Sequence, residues 1–374
     1  MSSLSAHAEI TERIRALAPN GLVYVVGEDG EELVSQNVDA PFVPASVAKI
    51  VTAWLAMDVL GGNYRFTTRF YVGDARVLYV RGGGDPFLVS EELALIAPRI
   101  LQVAGEEPFS AIRLDTRYFE ANMRVPGIEN DDESYNAPNA ALAANFNTIN
   151  AVREGSTVRS AEEQTPITPL AVSQFRARAP NGRSRISLAQ EEPGLSARYV
   201  GELLAAFIAQ SGGSVSGDIA VGPVPEGLEP IYIHRQSRPL SEIINAMMIG
   251  SNNYVANQLF LEAGARDQGA PASLEKSVSA LNARLAELEL TGAITIVEGS
   301  GISRQNNMTA QGLVALLNDF EPHMALMTRS RGGSRYKTGT LDDVSTLAGY
   351  ANTKKSRHGA LRHRPAWRKR KSAV

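Results

Sequence analysis

The order of elements along this chain predicts an α+β fold. Three observations carry that reading. Two short apolar runs joined by a turn come first, and a helical stretch without charge follows them. After a long middle region of different texture, helical segments give way to two closing strands. In such an order the first hairpin and the last strands can share one antiparallel sheet, with the helices and the middle region between them.

Residues 9–18 read as a short amphipathic helix, stopped by Pro19, Asn20 and Gly21. Residues 22–26 form a strand, Gly27 to Gly30 a turn, and residues 32–35 the hairpin partner. The segment 44–57 is a helix without a polar face, since no charge falls between Lys49 and Asp58; a helix that is apolar all round is buried. From 66 to 237 short strands (69–72, 77–80, 112–114) alternate with Gly, Pro and Asn turns. Within it, Gly82-Gly83-Gly84-Asp85-Pro86 reads as a tight turn, 152–195 as a polar exposed loop or small subdomain, and 196–211 as an amphipathic helix. Helices over 243–263 (interrupted near Gly250), 273–289 and 309–319 come next, then strands at 336–340 and 344–350.

Composition excludes several chemistries. The chain has 374 residues, 44% apolar and 21% charged, as in a soluble globular protein, and no run of 18 apolar residues that could span a bilayer. It has no cysteine, hence no disulfide, thiolate metal site or cysteine nucleophile. None of its five histidines stands near a Gly-x-Ser-x-Gly elbow, and no His-Glu-x-x-His occurs. The glycines at 82–84 lack the Gly-Lys-Ser/Thr of a phosphate loop. No metal, cofactor or nucleic-acid partner is expected.

What remains is a serine paired with a lysine. Three Ser-x-x-Lys spacings occur: Ser46–Lys49, Ser273–Lys276 and Ser334–Lys337. Ser273 opens an amphipathic helix with Glu275, Lys276, Arg284 and Glu287 on its wet side, so an N-cap with a solvated lysine explains it. Ser334 precedes a strand, where a spacing of three has no helical meaning. Ser46 alone stands before the charge-free helix. There the spacing puts both side chains on one face, and burial disfavours the ammonium, which is what a lysine base needs. Ser-x-Asn also occurs three times, at Ser35–Asn37, Ser134–Asn136 and Ser251–Asn253, each alone more consistent with a turn. Lys337-Thr338-Gly339 occurs once, on an expected strand: the lysine attracts a carboxylate, the hydroxyl donates to it, and the glycine lets backbones approach. In chain order, Ser46–Lys49, Ser251–Asn253 and Lys337–Gly339 make up the signature of β-lactamases and penicillin-binding proteins.

The likeness extends beyond these motifs. The stretches Phe42 to Lys49, Gly82 to Pro86, Met248 to Asn257, Glu298 to Thr309 and Lys337 to Tyr350 resemble the class C low-molecular-mass penicillin-binding proteins, the D-alanyl-D-alanine carboxypeptidases/endopeptidases. The resemblance covers about residues 10–353. It implies an antiparallel sheet flanked by helices, an all-helical lobe, and a β-rich domain inserted after the helix that follows the nucleophile. The corresponding division is 1–65 with 238–353 for the peptidase domain, 66–237 for the insertion with a small nested unit near 152–195, and 354–374 for a tail. By the same resemblance Ser46 is the nucleophile and Lys49 its base. Ser251 bridges Lys49 and the leaving amine, and Asn253 bonds Lys49 or the substrate amide. The backbone N–H groups of Ser46 and Thr340 form the oxyanion hole, while Lys337, Thr338, Gly339 and Thr340 hold the substrate. Peptidoglycan peptides ending in, or crosslinked through, D-alanine are the implied substrates, β-lactams the covalent inhibitors, and the periplasm or cell exterior the implied location. Met1 to His7 carries no basic or apolar leader pattern.

The end of the sequence departs from the family pattern. The resemblance implies a further apolar strand and a closing helix after Tyr350. Residues 356–371 are too charged for a sheet and contain Pro365. Without that strand, Val344–Tyr350 would be an unprotected edge. An inactive or unstable penicillin-binding relative therefore stands beside the peptidase reading, as does a serine β-lactamase or esterase on the same fold. Nine Lys/Arg and no acid lie in 354–371; the rest of the chain sums to -12. A solvated terminus is the ordinary reading of such a tail, with weak contact to a membrane or anionic polymer as the other.

Overall fold

The computed structural model describes residues 12–352 apart from 15, 18, 189–191 and 193. Most of the basic tail and part of the first expected helix lie outside the described residues, although 12–14 and 16–17 are helical. The expected α+β order is present. The antiparallel hairpin Val23–Val26/Glu32–Gln36 comes first, followed by a short 3₁₀ turn, Ala45–Val47, that runs into the helix Ala48–Leu60. Every side chain from Ala48 to Ala56 is buried, as the missing polar face requires. Against this helix pack Leu240–Gly250, Asn253–Gln268 and Ala310–Phe320, with Ile50, Trp54, Ile243, Leu259, Phe260 and Leu316 in their shared core.

The middle region builds a second core. Its five-stranded sheet runs in the order Tyr232–Arg235, Thr67–Val72, Val77–Arg81, Ala111–Asp115, Ile219–Val221. The first pairings are antiparallel and the last two parallel. Parallel pairs need crossovers, and the helices Ser90–Ala104 and Leu195–Gln210 lie along those connections and pack against each other. The expected strands at 69–72, 77–80 and 112–114 and the expected helix near 196–211 are all present, and the helix Ser90–Ala104 is an addition to them. Of the two readings of the polar stretch 152–195, a loop or a small subdomain, the observed elements fit the second. The stretch contributes to a three-stranded antiparallel sheet (Thr157–Ser160, Thr148–Glu154, Gly182–Ser187) closed by the helix Pro169–Arg178, whose Phe175 is fully buried.

Two expectations need correction. Gly82–Asp85 is an irregular link rather than a tight turn. A Cβ at Gly82 would lie 2.3 Å from the Ala141 carbonyl oxygen and one at Gly83 2.2 Å from that of Thr67, so close backbone approach explains these glycines. Nor do the first hairpin and the closing strands form one sheet. The strands Thr328–Arg329, Arg335–Leu341 and Val344–Tyr350 make their own antiparallel sheet. Both sheets contact Ala310–Phe320, the second through Tyr350 Oη, which donates to the Leu317 carbonyl at 2.6 Å. Among the described residues no strand joins them, because Val344–Tyr350 pairs only with Arg335–Leu341. Leu347 on that strand is 70% exposed, the open edge that the closing sequence predicts.

Candidate active site

Ser46 sits in the 3₁₀ turn, half-buried, one residue after Ala45, whose φ of 48° is unusual for a non-glycine residue. One turn later Lys49 is fully buried. Its Nζ donates to Ser46 Oγ at 2.9 Å, to Asn253 Oδ1 at 2.7 Å and to the Ser300 carbonyl at 2.7 Å. Burial pulls Lys49 down to about 7; the positive charge of Lys337 acts in the same direction, and the carboxylate of Glu298 opposes it.

Ser251 and Asn253 occupy the break between two helices. Ser251 ends Leu240–Gly250 in the left-handed region, at φ 50° and ψ 35°, which turns the chain sharply. Asn252 then caps the next helix, its side chain accepting from Val255 N at 3.0 Å, so Asn253 points from the first turn toward Lys49. Asn253 Nδ2 donates to the Tyr135 carbonyl at 3.3 Å.

The third motif lies on the strand Arg335–Leu341. Lys337 is 3% exposed, its Nζ donating to Ser251 Oγ and to the Thr338 carbonyl, both at 2.8 Å, and burial pulls it down to about 8. Ser251 is thus paired with Lys337 rather than with Lys49. Thr338 and Thr340 are exposed and Gly339 is buried. A Cβ on Gly339 would lie 2.7 Å from the Pro44 carbonyl oxygen and 2.8 Å from Ser46 N. The glycine is what lets this strand lie against the turn bearing Ser46.

The structure thus brings together two hydrogen-bonded sets, Ser46–Lys49–Asn253 and Ser251–Lys337, with Gly339 beside the serine. The two rival Ser-x-x-Lys serines are elsewhere employed. Ser273 Oγ caps Leu274–Glu287 by accepting from Lys276 N at 3.2 Å, and Ser334 Oγ accepts from Asn352 N at 3.0 Å. Three groups at the site are backbone carbonyls, those of Ser300, Tyr135 and Thr338, and residue type gives no sign of such a role. Tyr135 belongs to Ser134–Asn136, a Ser-x-Asn spacing that reads only as a turn and is one, yet that turn reaches Asn253.

With no cysteine in the chain and, among the described residues, no histidine bonded to Ser46, the arrangement is that of a serine acyl-transfer enzyme using lysine where others use histidine. The D-Ala-D-Ala carboxypeptidase 3 (S13) family matches residues 4–175 and 178–328, and the chain belongs to it. It is accordingly a serine-type DD-peptidase of the low-molecular-mass penicillin-binding class. The chain is 27% identical over 411 residues to a D-alanyl-D-alanine carboxypeptidase of Actinomadura sp. (strain R39), covering 89% of this chain and 75% of that one. It is 26% identical over 362 residues to carboxypeptidase DacB of Mycolicibacterium smegmatis, covering 88% and 72%. Among solved structures, penicillin binding protein 4 (dacB) from Haemophilus influenzae matches with a TM-score of 0.72 at 20% identity, over 93% of this chain and 90% of that one. The same protein complexed with a β-lactam matches at 0.65.

Proposed function

We propose that the enzyme cleaves the D-alanyl-D-alanine bond of peptidoglycan peptides through an acyl-enzyme on Ser46, and that β-lactams acylate the same oxygen. The observation that carries this reading is the hydrogen-bond set of Lys49. A neutral amine has two N–H groups and one lone pair. Asn253 Oδ1 and the Ser300 carbonyl can only accept from it, so they take both hydrogens and leave the lone pair facing Ser46 Oγ. A buried lysine drawn down to about 7 is neutral often enough to serve as the base.

In the acylation step Ser46 Oγ bonds to the carbonyl carbon and its proton passes to Lys49. The C–N bond breaks, and the departing amine takes a proton from Ser251, which Lys337 supports at 2.8 Å. Lys49 gains the one proton that the Ser251–Lys337 pair gives up, so the step balances. Before deacylation the proton on Lys49 passes back, through solvent, to the Ser251–Lys337 pair; water then attacks the acyl carbon, one of its protons passes by way of Lys49 to Ser46 Oγ as the ester bond breaks, and the starting state is restored. The backbone N–H groups of Ser46 and Thr340 are assigned to the oxyanion, a reading supported by the close approach at Gly339. The positive charge of Lys337, with the hydroxyls of Thr338 and Thr340, is assigned to the substrate carboxylate.

Residues 1–65 and 238–353 are read as the peptidase domain and 66–237 as an insertion. In support, the two large apolar clusters divide largely along those lines. A location outside the cytoplasm is read from the proposed action on cell-wall peptides. Release of D-alanine from a stem pentapeptide tests the function: steady turnover by the wild type and none by Ser46→Ala is the expected result, and equal release by both would overturn it.

A further inference from the structure

Glu298 is completely buried between the helices that carry Lys49 and Asn253, and the reaction above makes no use of it. Its carboxylate accepts five hydrogen bonds from its own loop. Oε2 takes Ser300 N and Ser300 Oγ, both at 2.7 Å. Oε1 takes Gly301 N at 2.7 Å, Ser303 N at 3.2 Å and Asn306 Nδ2 at 2.6 Å. Every partner donates, which is the demand a carboxylate anion makes. The loop therefore winds around this one side chain.

That loop is also fastened to both helices. Thr52 Oγ1, one turn beyond Lys49, donates to the Gly299 carbonyl at 2.6 Å, and Gly299 N donates to Asn257 Oδ1, one turn beyond Asn253, at 2.6 Å. A Cβ on Gly301, whose φ is 86°, would lie 1.8 Å from the Ala45 carbonyl oxygen, so the loop touches the turn bearing Ser46. Between these anchors the Ser300 carbonyl emerges at Lys49 Nζ.

We infer that Glu298 is a positioning residue for Lys49. It holds the Ser300 carbonyl where it must accept a lysine hydrogen, and so directs the lysine lone pair to Ser46. Its negative charge also sustains the protonated lysine against burial and against Lys337. The carboxylate thus has two separable effects on one amine, aim and charge. This inference rests on the reading of Lys49 as the base.

The experiment measures the second-order rate of acylation by benzylpenicillin from pH 5 to 9 for wild type, Glu298→Gln and Glu298→Asp, with thermal melting as a check on folding. Glu298→Gln places an amide NH₂ against donors and removes the charge. Its plateau rate is expected to fall by about 10²-fold, as for a catalytic group displaced by about an ångström. Its acid-side inflection is expected at lower pH than wild type, since the anion that favours charged Lys49 is gone. Glu298→Asp keeps the charge but shortens the reach, so its inflection should stay near wild type while its plateau rate falls. A folded Glu298→Gln protein with the wild-type inflection overturns the inference, even at a reduced rate, because a merely structural carboxylate would produce that result. If Glu298→Gln does not fold, a folded Glu298→Asp protein with the wild-type plateau overturns it. Failure of the wild type itself to be acylated would instead overturn the assignment of Ser46 and Lys49.

Discussion

Replacing Gly339 by alanine adds one methyl group at the place where the Lys337 strand meets the turn bearing Ser46. The backbone of Gly339 has no positive φ, so alanine meets no conformational penalty there and the change isolates the contact. The new Cβ would stand 2.3 Å from Thr346 Oγ1, 2.7 Å from the Pro44 carbonyl oxygen and 2.8 Å from Ser46 N. Two of these are backbone atoms that cannot rotate away. Thr346 is fixed as well, because its Oγ1 donates to the same Pro44 carbonyl at 2.7 Å. Relief requires the strand and the turn to part by roughly half an ångström or more, at an overpacking cost of about 1–3 kcal/mol. The separation would pull Ser46 N away from Thr340, the two groups assigned to the oxyanion. A misplacement on that scale approaches the one that costs about 10²-fold in rate. Stopped-flow acylation by a chromogenic cephalosporin and the melting temperature read the two effects. A large fall in rate beside a modest fall in melting temperature is expected. Wild-type values of both would refute the account of why glycine stands at 339.

Three further outcomes follow from the same geometry. Acylation should rise with pH through about 7 as Lys49 becomes neutral and fall through about 8 as Lys337 loses its charge, the apparent values belonging to the pair; Lys337→Gln should move the acid-side inflection upward, because it removes the charge that depresses Lys49. Glu262 is 1% exposed, and burial pushes it up from 4.5 to about 7 although Tyr64 and Tyr118 donate to it, so the folded state holds more protons there than the unfolded one. Its contribution to stability is fully present below 4.5 and lost as pH rises through about 7, and Glu262→Gln should flatten the decline of melting temperature between pH 5 and pH 8. Ser273→Ala should cost about 1 kcal/mol by urea unfolding through loss of the helix cap, with penicillin acylation unchanged; loss of acylation would mean the wrong Ser-x-x-Lys had been chosen.

Much of the site could be read in the sequence because its parts are side chains in local patterns. The charge-free run after Lys49 is itself the cause of burial, so the pattern that singled out Ser46 is also what lowers the lysine. The same holds for Ser273, whose helix-cap role follows from the amphipathic segment behind it. Partners across the fold were less legible. Ser251 was expected at Lys49 and is bonded to Lys337, because its left-handed backbone turns it toward the strand. The Ser300 carbonyl could not be seen, since a backbone acceptor has no residue type. The strand pairing of the middle region is illegible in the sequence for a related reason. Its strands are short and its helices lie in crossovers, so the parallel pairings of Val77–Arg81 with Ala111–Asp115, and of the latter with Ile219–Val221, depend on contacts far apart in sequence. The open edge of Val344–Tyr350 was legible from the loss of apolar pattern after it. The separation of the two sheets goes with that open edge, since no strand among the described residues lies between them.

The most direct test of the central claim is the site of covalent attachment. The protein is incubated with benzylpenicillin at pH 7.5, digested and mapped by mass spectrometry. One penicilloyl group on the peptide containing Ser46, absent from Ser46→Ala, is the result this account predicts. An adduct on the peptide of Ser273 or Ser334, or an adduct that survives Ser46→Ala, would contradict it.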